Sequence, residues 1–338
     1  MNTIESDIEY CKKAILHGSL SFHAASLALP ESVRTPCLAL YAFCRLADDE
    51  VDLKKDKSAS IYDLVQRLDL VYAGTPRNHP MDRAFASMVE KFDMPRALPE
   101  ALFEGFVWDA MSKQYNNIDE LISYSARVAS SVGVMLCVIM GERRAEVLSR
   151  ACDLGVAMQL TNIARDIGED AQEGRLYIPL DWFQQEGLDP AQFLIEPTQS
   201  QSTVRFTKRL LGQAQTLYHR SEAGIAFLPS KVRPAMFAAR HIYSAIGTEI
   251  KKNNYDNINL RAKTNKFTKT KLLTFSTFQS LVSMILPAPA TVFAKPLPQT
   301  EFLVEAAKIQ GTTDLNWSGK FLSVIDQLKN HDQKKMSA

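Results

Sequence analysis

Apolar residues recur at intervals of three and four positions along most of the chain, a spacing that predicts amphipathic helices. The predicted helices cover residues 5–17, 34–53, 60–73, 81–92, 97–115, 118–141, 143–170, 202–227 and 232–253. Prolines and glycines, among them Pro30, Gly141 and Pro190, fall between these segments. Few segments alternate with a period of two residues. The pattern therefore predicts an all-α protein, with a single domain from the start of the sequence to about residue 270.

Two short acidic segments follow largely apolar helical stretches. One contains Asp48 and Asp52, and the other contains Asp166 and Asp170. Residues four apart leave the same face of an α-helix about one turn apart, so each pair of carboxylates repels and weakens its helix by a few tenths of a kcal/mol. Asn162 lies four residues before Asp166 and extends the second pair into a polar stripe. Because buried carboxylates need cations, both segments indicate a site for a strongly positive group.

Three interpretations fit these carboxylates. They can form ordinary solvated helix surface, because acidic clusters often arise by chance. They can bind a transition metal, although no histidine or cysteine pattern lies near them. They can hold Mg²⁺ ions that grip a diphosphate, since Mg²⁺ prefers oxygen ligands and commonly bridges to phosphate. The apolar helices before both motifs argue against a solvated surface. The preceding Arg45 and Arg165 cannot neutralise four or more acids alone, which favours the third interpretation.

Composition limits which classes of binding partner and which cellular compartment are expected. The chain has 39 Lys and Arg against 38 Asp and Glu, a formal net charge of +1, so no overall attraction to nucleic acid is expected. Its five cysteines stand singly and form no CxxC pair, which is typical of reduced thiols in a cytosolic protein. Residues 1–16 carry acids where a secretory signal needs a basic start and an apolar run. These features predict a cytoplasmic protein without a nucleic-acid partner.

Both acidic segments, with their flanks, resemble the squalene/phytoene synthase family, and most of all its bacterial phytoene synthases. The first matching stretch is residues 40–52, and the second is residues 159–170 with a continuation at 174–179. Supporting matches are Ser21-Phe22, residues 127–133 and residues 243–261, so the resemblance covers roughly residues 10–275. Two aspartates four apart occur in many prenyl-diphosphate enzymes, but the two extended segments together are specific.

The resemblance implies an isoprenoid-synthase-type helical bundle with a central active-site cavity, as a catalytic domain at residues 1–275 followed by a C-terminal extension at residues 276–338. It implies a head-to-head condensation of two geranylgeranyl diphosphates through a cyclopropylcarbinyl diphosphate to phytoene, with Mg²⁺ (or Mn²⁺) and without NADPH. The implied metal ligands are Asp48, Asp52, Asn162, Asp166 and Asp170. The implied catalytic residues are the four aspartates with Tyr41 and Arg45. The implied diphosphate contacts are Ser21, Phe22, Arg45, Gln159, Asn162, Arg165, Arg175, Tyr177, Tyr243 and Arg261.

Several alternatives remain open at this level. A C15 substrate, giving dehydrosqualene or squalene, is one, because chain length depends on side chains at the far end of the tunnel. A non-catalytic family member that acts as a binding or assembly protein is another, and the presence of all four aspartates argues against it. Leu20 stands where the family often has a lysine that could contact a diphosphate.

The region after residue 250 bears on whether the protein contacts a membrane. Residues 251–271 carry seven Lys or Arg against one acid, Asp256, which indicates either a solvated helix end or a patch for diphosphate or anionic lipid. Residues 272–294 carry no charge, but their polar residues and Pro287 and Pro289 argue against a membrane-spanning helix. We expect a packed or interfacial segment there. The expected location is cytoplasmic, peripheral on the inner face of the membrane, and the resemblance implies other carotenoid-pathway enzymes as partners.

Overall fold

Helices account for most of the chain in the computed structural model, which describes residues 3–18, 23, 25–53, 56–286, 289–308, 324–325 and 327–328. The described residues contain no strand, and the predicted all-α class is confirmed. In chain order the helices are α1 (Thr3–Gly18), α2 (Glu31–Leu53), α3 (Lys57–Tyr72), α4 (Pro80–Phe92), α5 (Ala97–Ala110), α6 (Ile118–Ser125), α7 (Ser131–Ile139), α8 (Ala145–Gln172), α9 (Leu180–Glu186), α10 (Pro190–Ile195), α11 (Gln201–Ile225), α12 (Arg233–Lys252), α13 (Lys266–Ile285) and α14 (Glu301–Lys308).

Capping side chains explain why several helices begin where they do. The carboxylate of Asp56 accepts a hydrogen bond from the amide of Ala59 at 2.9 Å at the start of α3. Ser200 and Thr203 form a reciprocal capping box at the start of α11. Each such cap satisfies an amide that lacks a partner in the first turn and stabilises its helix by about 1 kcal/mol. The long helices consequently begin within a few residues of their predicted starts.

The segment predicted as one helix over residues 118–141 is interrupted. A π-helical turn, Ala126–Ser130, joins α6 to α7. In the described part of the chain, Ile118–Ile139 is apolar and long enough to cross a membrane by length and composition, but 61% of its most apolar stretch is buried. This burial is what a core helix of the bundle requires.

Helix α8 lies at the centre of the packing. It packs most extensively on α11 and also contacts α6, α7, α10, α12, α14 and the π-helical turn. Its first half contributes Leu148 and Cys152 to an apolar cluster shared with α2, α4 and α5, whereas Leu160 and Ile163 in its second half join a separate cluster with α9 to α12. Helix α8 also lies close to the π-helical turn. Gly155 allows this contact, because a Cβ atom there would lie 2.6 Å from the Cα of Ser130.

A buried ion network attaches the chain after α13 to this centre. Arg150 and Asp153 are both fully buried on α8, with Arg150 Nε 2.8 Å from Asp153 Oδ2. Arg220 of α11 pairs with the same carboxylate oxygen at 3.0 Å. Arg150 also donates to the carbonyl of Thr291 at 2.7 Å, and Arg220 to that of Lys295 at 2.7 Å. Residues 289–308 therefore pack on the helical core, and the predicted division at 275/276 falls inside α13.

Candidate active site

The second acidic motif projects from the C-terminal half of α8. Gln159, Asn162, Asp166 and Asp170 lie at helical spacings of three and four, so they share one face. The side-chain amide nitrogen of Asn162 is 3.5 Å from the Gln159 side-chain oxygen. The residues between them, such as Ile163, are buried in the core. The helix thus presents a polar stripe and anchors it by the opposite, apolar face.

Two arginines neutralise Asp166. Arg165 Nε donates to its Oδ1 at 2.8 Å, and a second guanidinium nitrogen of Arg165 donates to Oδ2. Arg261, which is 95 residues away in sequence, donates from Nε to Oδ1 at 3.0 Å and also pairs with Glu169 at 2.9 Å. Tyr243 of α12 is buried and contributes electrostatically to the surroundings of Arg165. The arrangement holds two guanidinium groups where an anionic ligand could reach them.

Asp170 is a partly buried carboxyl close to the charge of Asp166. Burial raises the pKa of this carboxyl to about 8, the negative charge of Asp166 adds to the rise, and Arg175 opposes it. The turn after α8, with Gly174 at φ +75°, returns the chain so that the Arg175 amide donates to the Asp170 carbonyl at 2.8 Å. Asp170, Arg175 and Tyr177 help to line a small cavity of about 10 Å³, room for about one water molecule. A bound cation at this place would stabilise the ionised carboxylate.

The loop between α12 and α13 carries Arg261, and we call residues 253–265 the strap. The strap crosses α8 at Gly168, whose amide donates to the carbonyl of Asn257 at 3.1 Å. The Asn257 side chain is buried and donates to the carbonyl of Ala164 and to Thr207 Oγ1, the latter at 2.8 Å. A Cβ on Gly168 would lie 2.5 Å from the carbonyl oxygen of Ile258. The position of Arg261 therefore depends on a backbone contact that only glycine allows.

An aspartate on α5 joins two tyrosines beside Asp170. The Tyr177 hydroxyl donates to Asp109 Oδ1 at 2.7 Å, and the Tyr124 hydroxyl donates to Oδ2 at 2.8 Å. The two rings stack with centroids 5.1 Å apart, and Tyr115 stacks on Tyr177 at 6.2 Å. Burial, followed by the charge of Asp109, raises the pKa of all three hydroxyls, so they stay protonated. The cluster forms an aromatic wall with a fixed negative charge behind it.

A Tyr177→Phe substitution is expected to lower the free energy of unfolding by about 1.5–3 kcal/mol, because it removes a hydrogen bond to a charged carboxylate. Equilibrium urea unfolding measures the effect. Tyr62→Phe is the matched control, since it removes the same hydroxyl group from a side chain that is 43% exposed to water. Equal stability of the two variants would contradict the strength assigned to the bond between Tyr177 and Asp109.

The first acidic motif lies in the last turns of α2. Arg45 pairs with Asp48 at 3.0 Å and with Asp49 at 2.6 Å, and these side chains are about 40% exposed. Tyr41, one turn earlier, is half-buried, and burial raises the pKa of its hydroxyl while Arg45 opposes the rise. Both α2 and α8 contact α7. Among the remaining predicted site residues, the side chain of Asp52 and all of Ser21 and Phe22 lie outside the described part of the chain.

The described residues fit a Mg²⁺ ion that is shared with a diphosphate. Among the described side chains, no three histidines, cysteines, aspartates or glutamates form a group able to hold a metal ion alone. Mg²⁺ does not require such a group, because it usually takes one or two carboxylates and completes its shell with water and substrate phosphates. Asp166, Asp170 and Asn162 supply oxygen ligands of this kind on one face of α8.

The structure adds residues that the sequence did not single out. Asp109 lies within the helix predicted over residues 97–115 and Tyr124 within the one predicted over residues 118–141, and neither is among the predicted site residues. One signal for Asp109 exists in the sequence: it is an acid near the end of a largely apolar helical segment. Glu169 pairs with Arg261 and is a third addition. The contacts of these residues join positions far apart in sequence and therefore require the fold.

Known proteins resemble this chain over most of its length. The family model for squalene/phytoene synthases matches residues 15–268. A phytoene synthase of Rhodobacter capsulatus is 52% identical over 306 residues, which is 90% of either chain, and one of Cereibacter sphaeroides is 49% identical over 339 residues, 97% of this chain and 95% of the relative. A crystal structure of a dehydrosqualene synthase superposes with a TM-score of 0.76 at 32% identity, covering 82% of this chain and 98% of the other.

These matches confirm the resemblance seen in the two acidic segments, and they extend it over nearly the whole chain. The expected isoprenoid-synthase-type bundle is confirmed by the superposition on dehydrosqualene synthase. The expectation of a head-to-head prenyltransferase agrees with the names of the two bacterial relatives. The chain belongs to the squalene/phytoene synthase family.

Proposed function

We propose that the protein is a phytoene synthase that condenses two molecules of geranylgeranyl diphosphate head to head, in a reaction that depends on Mg²⁺. The observation that carries this proposal is the cluster on α8, where Asp166 and Asp170 lie beside the guanidinium groups of Arg165, Arg261 and Arg175. Carboxylates for a divalent cation and arginines for phosphate oxygens are the two needs of a diphosphate leaving group. The names of the two bacterial relatives support the C20 substrate and the C40 product.

The arginines would bind and orient the leaving group. Arg165 and Arg261 now donate to Asp166, and their planar groups can turn these donors to phosphate oxygens. When bound, Mg²⁺ neutralises the diphosphate and lowers the barrier to breaking its bond to carbon. Arg45, which pairs with Asp48 and Asp49 on α2, would serve the second diphosphate in the same way.

The aromatic wall would protect the cation that forms when the diphosphate leaves. The stacked rings of Tyr115, Tyr124 and Tyr177 offer π-faces to an allylic cation and exclude water from it. The first half-reaction forms a cyclopropylcarbinyl diphosphate, and the second rearranges it to phytoene. Each half releases one diphosphate and one proton, so the reaction needs no reductant and no NADPH. The hydroxyls of Tyr124 and Tyr177, held on Asp109, keep their protons and act by orientation.

A product assay without reductant tests the proposal. Purified protein with geranylgeranyl diphosphate and Mg²⁺ is expected to form a C40 hydrocarbon, measured by liquid chromatography and mass spectrometry. Chelation of divalent cations should stop the reaction, and Mg²⁺ or Mn²⁺ should restore it. Product that appears only after NADPH is added would refute the proposed elimination of a proton. No turnover of any prenyl diphosphate would instead favour a binding or assembly role.

A C15 substrate is the second candidate, and the superposition on a dehydrosqualene synthase at 32% identity favours keeping it. Competition between the C15 and C20 diphosphates in one reaction decides between them. The proposal expects a higher kcat/KM for the C20 substrate. A preference for the C15 substrate would assign the protein to the dehydrosqualene or squalene type.

A further inference from the structure

Helix α13 has large apolar side chains on the side that faces away from the protein. A helix that only packs on a protein has them on the buried side. Helix α13 packs against α12, and the buried residues on that side are Ser276 and Ser280. Gln279, also on that side, contacts His241 of α12 at 2.5 Å. Arg233 of α12 donates to the carbonyl of Ser283 at 3.2 Å. The contact with the protein is therefore made largely by small and polar groups.

The opposite side of α13 is apolar and exposed. Phe267 is 81% exposed, Phe278 64% and Ile285 83%, and their spacings of eleven and seven residues place them along one line of the helix. Phe275 and Leu281 flank this line and are 50% and 55% exposed, and the Phe275 ring also meets that of His241 of α12 edge to face at 5.2 Å. Isolated exposed apolar side chains are common, but a continuous stripe of this size on one helix indicates a surface that is covered in use. We call these five residues the outer stripe.

The charges around the outer stripe are positive. Helix α13 contains Lys266, Lys269 and Lys271 and no acid, and Lys263 precedes it. Lys263, Lys266 and Lys271 are exposed. A protein partner that covered the stripe would have to be acidic and apolar at once, whereas an anionic lipid surface offers negative headgroups above an apolar interior. Basic residues beside exposed aromatic and aliphatic ones on a surface helix are typical of interfacial membrane binding.

We infer that the outer stripe of α13 and its lysines dock the protein on an anionic lipid bilayer, with the helix lying in the plane of the interface. The inference concerns binding only and holds whether or not the proposed reaction is correct. Its geometry has a consequence for the site, because Arg261 lies in the strap that leads directly into α13. The docked helix thus follows closely in sequence after Arg261, which contacts Asp166.

Flotation of the full-length protein with lipid vesicles tests this inference without any substrate. Binding is expected to vesicles of phosphatidylcholine with added phosphatidylglycerol. The variant Phe278→Ser/Ile285→Ser should bind at least about tenfold more weakly, because two apolar side chains no longer enter the interface. The variant Lys266→Glu/Lys271→Glu should lose about tenfold or more on anionic vesicles, since each lysine near an anionic surface contributes favourably.

Matched controls separate the docking surface from general changes in charge and hydrophobicity. Ile195→Ser removes an aliphatic side chain that is 78% exposed at the end of α10, and Lys91→Glu reverses an exposed lysine on α4. Both should bind vesicles like the wild type. A Phe278→Trp variant should be quenched by brominated lipids beyond the wild-type level, and Ile195→Trp should not.

Three results would overturn the inference. The full-length protein could fail to float with anionic vesicles. The stripe and control variants could bind equally well. Light scattering could show a dimer that Phe278→Ser/Ile285→Ser dissociates, without vesicle binding, which would assign the stripe to a second copy of the chain. Each result leaves the product assay unaffected.

Discussion

Replacing Asp166 with asparagine is expected to lower turnover by about 100- to 1000-fold, the cost of losing one group that stabilises developing charge. Asparagine keeps the size of the side chain but removes the charge that holds Arg165 and Arg261 and that a divalent cation would need. The expected change in the free energy of unfolding is only about 1–2 kcal/mol, since both arginines retain access to water or to Glu169. Steady-state kinetics at saturating Mg²⁺ and thermal unfolding measure the two effects.

Asp93→Asn is the matched control for this substitution. Asp93 caps the end of α4 in a left-handed conformation with φ 47°, which asparagine adopts readily, and it belongs to neither acidic motif. Its replacement should leave both turnover and stability near the wild-type values. If Asp166→Asn kept most of the wild-type turnover while remaining folded, the role assigned to the second motif would be wrong.

Replacing Gly168 with alanine is expected to cost about 1–3 kcal/mol of stability and to lower turnover at least about tenfold. The new Cβ would lie 2.5 Å from the carbonyl oxygen of Ile258 and 2.7 Å from its Cα, and backbone atoms cannot turn aside as a side chain can. The strap would have to move away from α8 and take Arg261 with it. Urea unfolding and kinetics measure the losses, and adding Arg261→Ala to this variant should have a smaller effect on turnover than in the wild type.

Gly212→Ala makes the same substitution inside α11, where the new Cβ meets no atom within 4 Å. Alanine is the better helix former, so this variant should gain about 0.5–1 kcal/mol of stability without a change in turnover. Opposite signs for the two glycines would support the close contact at Gly168. Equal behaviour would show that the strap adapts to a methyl group and does not position Arg261.

Most of the fold could be predicted from the sequence because long amphipathic helices carry their own signal. Helices α1 to α8, α11 and α12 fall on the segments predicted from apolar spacing. The helix predicted over residues 97–115 ends instead at Ala110, followed by a left-handed turn at Ser112 with φ 50°. Helix α13 was not predicted: residues 272–294 were expected to form a packed or interfacial segment, and in the structure α13 buries Ser276 and Ser280 while its exposed side is apolar.

Only those parts of the candidate site that follow from residue spacing within one helix could be predicted. Four-residue spacing places Asp166 and Asp170 on one face, and the structure has them there. The resemblance also named Arg261, but its pairing with Asp166 joins positions 95 residues apart and depends on how the strap crosses α8. The same holds for Asp109, whose two tyrosines come from α6 and from the turn after α8. Spacing within one helix cannot encode such tertiary contacts.

The glycine contacts of α8 have a consequence for the accuracy of the site. A side chain that spaces two elements can change its rotamer, so the distance it sets varies with temperature and with nearby substitutions. At Gly155 and Gly168 the distance between α8 and the neighbouring segment is set by contacts between backbone atoms. Backbone atoms have no side-chain rotamers to change. The separation between the acidic face of α8 and Arg261 is therefore fixed by atoms common to all residues. Redesign of the substrate tunnel can consequently change many side chains around α8, provided that these two positions keep no side chain at all.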